Sequence, residues 1–321
     1  MSVPFKSSRL ALYCLLGLLG LYAPGLSSAC EREMRTPAGE WREYRKGDFI
    51  YQYAVSGRHA LPSADHANHL DIPDIVGDVS LQLTAMRDML QQLEFQLPLE
   101  SARYRQHGVS RILIRFLELK GINGRTFDEP RRLPSGECVL VIHIATHYPS
   151  GNLTPAHEFF HLVQYGYAML KRGWFTEGTA RWSAGVVGHR EGKPRPIPAD
   201  YQELQEFWGK SYAAAPVWYG LIEHCDSNPA RVEIPEHLNS LRYHTGEPVI
   251  EDNVVPGHAF VRRVLMNLGE VSDLIAAEEG LAPYRWPQKA RNNVRHDPDM
   301  WGAVVNACEN PIESRRKSVS G

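Results

Sequence analysis

Negative charge is absent from the first 29 residues, where no Asp or Glu occurs while Lys6 and Arg9 are basic. Residues 10–22 (LALYCLLGLLGLY) form an apolar run, broken by Pro24 and Gly25, and the small residues SSA stand just before Cys30. A basic start, an apolar core and a small-residue cleavage site predict a secretory leader over 1–29, cut between Ala29 and Cys30. A lipoprotein leader also ends before a cysteine, but it carries Leu where this chain has Ser27, so ordinary cleavage is expected. The run falls short of the ~20 apolar residues that a membrane helix needs, and no other stretch is apolar enough to span. Net charge is also scarce. The chain has 35 basic and 37 acidic residues, and loss of Lys6 and Arg9 leaves 33 against 37. So small an imbalance argues against nucleic acid or an anionic membrane as the main partner.

Cysteine is sparse too. Of five, Cys14 lies in the leader, which leaves Cys30, Cys138, Cys225 and Cys308. An even number behind an export signal predicts two disulfides, and of the three possible pairings Cys30–Cys138 with Cys225–Cys308 is favoured. No C-x-x-C pair occurs, so a zinc–cysteine site is not expected. Neither G-x-S-x-G nor a phosphate-cradling P-loop is present, and there is no internal repeat or low-complexity tract.

What the chain does have is a mixed first half and a helical second half. Residues 54–73 read as loop. The spacing of Leu81, Met86, Met89, Leu90 and Leu93 predicts a helix over 79–97. Residues 111–119 (RILIRFLEL) and 138–145 (CVLVIHIA) read as strands, joined by a long turn-rich connection (GINGRTFDEPRRLPSGE). Beyond a loop after Val187, helices are expected over 201–208, 213–224, 258–268 and 270–277. The predicted fold is α+β: an N-terminal lobe of mixed α and β (30–187), a mainly helical C-terminal lobe (188–310) and a flexible tail (311–321).

At the junction stands TPAHEFFHLVQYG, residues 154–166. Thr154 suits an N-cap and Pro155 the first helical position. His157 and His161 are then one turn apart on the same face, where two imidazoles can meet one ion at Zn–N distances of ~2.0 Å. Glu158 falls beside such an ion rather than on it, placed to take a proton from a water. A catalytic zinc site needs a third protein ligand, and GWFTEGTARW offers Glu177 at the start of a second helix. An oxyanion helper would also be needed, for which Tyr212, Tyr243 and His258 are candidates. His143 and His147, near the exit of the second strand, read as structural histidines that could still face the cleft.

HEFFH followed by W-x-x-E-G-x-A resembles the gluzincin-type zinc metallopeptidases, the thermolysin-like and zinc-aminopeptidase-like class. The resemblance covers 138–187. It implies a peptide or protein substrate, with His157, His161 and Glu177 as zinc ligands and Glu158 as the general base. It also implies that the strand over 138–145 is the edge strand that aligns the substrate. The chain departs from the class in lacking G-x-M-E-N, in a slightly shorter spacer before Glu177, and in having Arg181 where thermolysin relatives often have Asp. A different class of function stays open: a secreted binding or adhesion protein, or a degenerate peptidase, that keeps zinc for structure. An intact Glu158 speaks against it, since a structural zinc has no use for a base.

Overall fold

The computed structural model describes residues 30, 32–62, 72–188, 192–226 and 230–308; the expected leader and tail lie outside them. Aromatic and β-branched residues flank Gly47–Asp48, and they form a hairpin of β1 (Trp41–Lys46) and β2 (Phe49–Ala54), with Lys46 opposite Phe49. Gly47 takes a φ of 54°, the left-handed conformation that so short a turn requires. The chain then crosses through α1 (Asp74–Gln92) and the one-turn α2 (Ala102–Arg105) to β3 (Arg111–Leu117), β4 (Gly124–Arg132) and β5 (Cys138–Ala145). The sheet order is β1-β2-β3-β5-β4, with β2, β3 and β5 parallel and the two outer strands antiparallel to their neighbours.

The expectation for the strand over 138–145 is corrected here. β5 lies inside the sheet, between β3 and β4, and the edge next to it is β4. β4 occupies much of the stretch read as a connection. Its Gly124, Asp128 and Pro130 look like turn residues, but an edge strand tolerates them: Pro130 gives up an N–H that no neighbouring strand needs, and the register with β5 slips between Phe127 and Arg131.

Helices follow: α3 (Thr154–Tyr167), α4 (Gly173–Ala184), α5 (Tyr201–Trp208), α6 (Ala215–Cys225), α7 (Glu236–Asn239), α8 (His258–Glu279), α9 (Gln288–Arg291) and α10 (Asp297–Ala307), with a two-stranded ribbon of β6 (Ala230–Arg231) and β7 (Val254–Val255). The fold is thus α+β, as the composition of the two halves implied. The helices expected over 258–268 and 270–277 are one, α8. Gly269 does not break it: a Cβ there would stand 3.1 Å from the carbonyl oxygen of Tyr167, so the glycine lets α8 pass close over the end of α3. Among the described residues no helix is long and apolar enough to cross a membrane.

Period-2 alternation gives the sheet two different faces. Leu140, Ile142 and Ile144 of β5 join the main core, which also takes in Leu83 of α1, Phe159 and Phe160 of α3, Trp218 of α6, Val264 of α8 and Val304 of α10. Val139 and Val141 point the other way, into a small cluster with Ile50, Leu113 and Leu133. His143 shares their parity. Its ring packs on Phe127 at 4.8 Å on the face away from α3, and His147 is exposed. The disulfides are Cys30–Cys138 and Cys225–Cys308, with Cα–Cα distances of 5.8 and 4.6 Å, and they match the favoured pairing. Each closes a loop long enough to stabilise the fold by about 4–5 kcal/mol in the chain-entropy account.

His143 has a consequence for stability against pH. Burial, and then the guanidinium groups of Arg115, Arg125 and Arg131, push its imidazole down to about 4. The unfolded chain binds this proton near pH ~6.5 and the folded chain only near 4, so the contribution is complete above ~6.5 and declines as pH falls through that window. A shift of this size is worth roughly 3 kcal/mol. In His143→Gln the melting temperature should fall less steeply between pH 6.5 and 4 than in the unsubstituted protein; equal slopes would exclude His143 as a source of acid sensitivity.

Candidate metal centre

The helix that carries the two histidines is anchored at its start by complete use of its backbone donors. Asn152 Oδ1 accepts the Thr154 N–H at 3.0 Å and the Thr154 hydroxyl at 2.7 Å. Pro155 has no N–H, the Ala156 N–H goes to Gln82 Oε1 at 3.1 Å, and the His157 N–H goes to the Leu153 carbonyl at 3.0 Å. The capping side chain is therefore Asn152. Thr154, the expected N-cap, is the first helical residue and donates its hydroxyl. Gln82, from α1, also donates through Nε2 to the Asn152 carbonyl and to the Tyr243 hydroxyl, which pins α3 to α1.

Residues 168–172 reverse the chain, and α4 packs back along α3. The W-x-x-E-G-x-A pattern has a physical reading at each position. Trp174 is buried and donates Nε1–H to Asp297 Oδ1 at 2.7 Å, and Arg172 Nε donates to the same oxygen at 2.7 Å. Gly178 makes room for Trp218, since a Cβ there would stand 2.3 Å from its ring. Ala180 is fully buried. With α4 so fixed, Glu177 comes back to the level of the histidines.

The three nominated ligand atoms converge. His157 Nε2 lies 3.2 Å from His161 Nε2 and 3.2 Å from Glu177 Oε2, and the latter is 3.5 Å from His161 Nε2. Ligand atoms about 2.0–2.1 Å from a tetrahedral ion stand roughly 3.3–3.4 Å from one another, so this triangle has the edge length that zinc requires. Among the described residues it is the one such group of His, Cys, Asp or Glu side chains. The ring orientation of His161 fits as well. Gln164 donates its amide N–H groups to the Thr176 carbonyl (2.8 Å) and the Thr179 hydroxyl (2.6 Å). Its Oε1 is therefore left to accept from His161 Nδ1 at 2.8 Å, and Nε2 is turned with its lone pair towards the triangle.

Electrostatics point the same way. Burial opposes the charge on Glu177, yet hydrogen bonds from His157 and His161 hold its carboxyl well below the usual range. Burial likewise opposes a charge on His161, but its bond to Glu177 and the carboxylates of Glu177 and Glu158 raise its pKa. Without a cation the site favours a proton where an ion would sit.

Glu158 is buried beside the triangle and is not part of it. The Thr126 hydroxyl of β4 lies 2.7 Å from Glu158 Oε2 and 2.7 Å from its carbonyl oxygen. Gly124 of the same strand passes so close that a Cβ would stand 2.7 Å from Glu158 Cγ. Neither Gly124 nor Thr126 was nominated from sequence, because their strand was read as a turn. Of the three oxyanion candidates, only Tyr212 is at the centre. Its ring stacks on His157 with centroids 6.0 Å apart, and Arg181 lies over it at 5.7 Å. Burial, and then the Glu177 and Glu158 charges, push its phenol up to about 12, so it stays a hydroxyl donor at neutral pH. Tyr243 is buried and bonded to Gln82, while His258 lines a different cavity of about 610 Å³ with Gln92, Arg231 and Glu233.

No family model matches the chain, and no curated protein or solved structure does either.

Two variants test this geometry. Gln164→Met should free the His161 ring and weaken any metal held at the triangle about 10–100-fold, as loss of an outer-shell partner does elsewhere. Gly178→Ala should destabilise the fold by about 1–3 kcal/mol through its clash with Trp218. Calorimetric zinc titration and thermal unfolding would check them; unchanged zinc affinity in Gln164→Met would mean that the amide does not orient the ligand.

Proposed function

We propose that this is an exported zinc-dependent metallopeptidase of the gluzincin type, acting on a peptide or protein backbone. The observation that carries the reading is the His157–His161–Glu177 triangle with Glu158 beside it and outside it. The two disulfides are compatible with an oxidising compartment outside the cytosol, in line with the leader-like N-terminus.

In this reading His157, His161 and Glu177 hold the metal. Zinc, when bound, acidifies water and polarises a carbonyl. Glu158 takes the proton at its free carboxylate oxygen, while the Thr126 hydroxyl holds Oε2 and fixes the direction of the other. It then returns the proton to the departing amine. Tyr212 donates its hydroxyl to the carbonyl oxygen as that oxygen gains charge. The regular part of the β4 edge, 124–127, is free to pair with an extended peptide and hold it along the face where Glu158 sits.

Glu158→Gln should keep its zinc and its melting temperature, while cleavage of an unbiased peptide library falls at least ~10²–10⁴-fold. Tyr212→Phe should lower kcat by about 10²–10³ with little change in zinc content. Unaltered cleavage in Glu158→Gln would remove it from the mechanism. Zinc bound with no cleavage by the unsubstituted protein would favour the structural-zinc binder.

A further inference from the structure

One turn beyond His161 on the same helix stripe is Tyr165, whose ring stacks on the His161 ring at 5.8 Å. Lys171 Nζ lies 4.2 Å from the Tyr165 centroid and pairs with Asp128 Oδ1 at 2.6 Å. The other oxygen of Asp128 is held by two guanidinium groups, Arg103 at 2.5 Å and Arg291 at 2.6 Å. Three cations thus surround one carboxylate, and the second carboxylate on the cavity wall, Glu129, is paired with Arg32 at 2.8 Å, so the cluster keeps an excess of positive charge. Arg103, Asp128 and Arg291 are 3%, 7% and 5% exposed.

Burying cations without matching anions is costly, and one carboxylate does not balance three. Arg291 Nε is also buried without a hydrogen-bond partner. Arg103, Asp128 and Arg291 all line one cavity of about 320 Å³, at the low end of small-ligand sites. Tyr284, on its wall, has a φ of 61°, a left-handed conformation that a tyrosine holds only under constraint from its surroundings and that is common at binding sites. Charge excess and a strained wall residue meet in one cavity.

We propose that this cavity binds an oxyanion, a carboxylate or phosphate group, through Arg103 and Arg291. Arg103 already spends one N–H on the Tyr165 carbonyl at 2.6 Å and one on Asp128, and Arg291 one on Asp128, so the remaining terminal N–H groups of the two guanidinium groups are the donors for such a group. The group could belong to a free small acid or to the carboxylate end of a peptide; the chemistry is the same. The site is separate from the metal triangle and does not rest on the peptidase reading.

Calorimetry on protein stripped of metal and then freed of chelator keeps the triangle out of the measurement. Inorganic phosphate, succinate, and one short peptide as free acid and as C-terminal amide would be titrated at fixed ionic strength. At least one oxyanion should bind saturably at one site, at least tenfold more weakly in Arg291→Gln, with part of the loss restored in Arg291→Lys. Lys171→Gln, which leaves the two guanidinium groups to balance Asp128 by themselves, should also weaken binding. Binding by phosphate or succinate would assign the site to free acids, and binding by the peptide acid but not its amide would assign it to chain ends. Absence of saturable binding by every probe, or equal affinity in Arg291→Gln, would overturn the proposal and leave the cluster a structural ion network.

Discussion

The amide of Gln164 sets the terms for the candidate metal centre. Its nitrogen is committed to α4, to the Thr176 carbonyl and the Thr179 hydroxyl, and its oxygen to the His161 ring. One side chain therefore fixes both the approach of the second helix and the direction of a ligand lone pair. Were the amide turned over, two donors would face each other at His161 and two acceptors would face each other at Thr176, each buried and each costing about 1–3 kcal/mol. The helix pair and the histidine tautomer are not independent choices in this fold.

A second anchor acts from further along the chain. Asp297, at the start of α10, accepts from Arg172 and Trp174 through one oxygen and holds the beginning of α4. Residues far from the histidines in sequence thus determine where Glu177 stands. The same separation explains what could be read in advance. That His157, Glu158 and His161 stand side by side was legible because their relation is a local helical one, and the return of Glu177 to their level because it opens the next helix after a short reversal. The partners that orient them were not, since Gln164 reads as an ordinary helix residue and Asp297 as a distant acid.

The sheet was legible by halves. β3 and β5 declare themselves through branched and aromatic runs, but β4 carries glycine, aspartate and proline and resembles a loop. Those residues serve close approach and edge placement, not turning. Gly124 brings the strand against Glu158, just as Gly269 brings α8 against the end of α3. In both cases a residue type associated with breaks marks a place where two elements touch backbone to side chain or backbone to backbone. The division of the helical half misread α8 for this reason. The disulfide pairing was favoured among three possibilities, and the fold realises it.

The irregularity of β4 also bears on self-association. Edge strands are templates for other strands, and a long smooth one invites copies of the same chain to join sheet to sheet. Here the regular ladder of β4 runs only from Gly124 to Phe127 before the register slips, and Pro130 then removes a donor. At the opposite edge, β1 carries Arg42, Glu43, Arg45 and Lys46. The strand next to Glu158 can pair with a few residues of a guest but is too short and too bent to seed a continuous ladder, so it can stay open to a visiting chain without becoming a nucleus for aggregation.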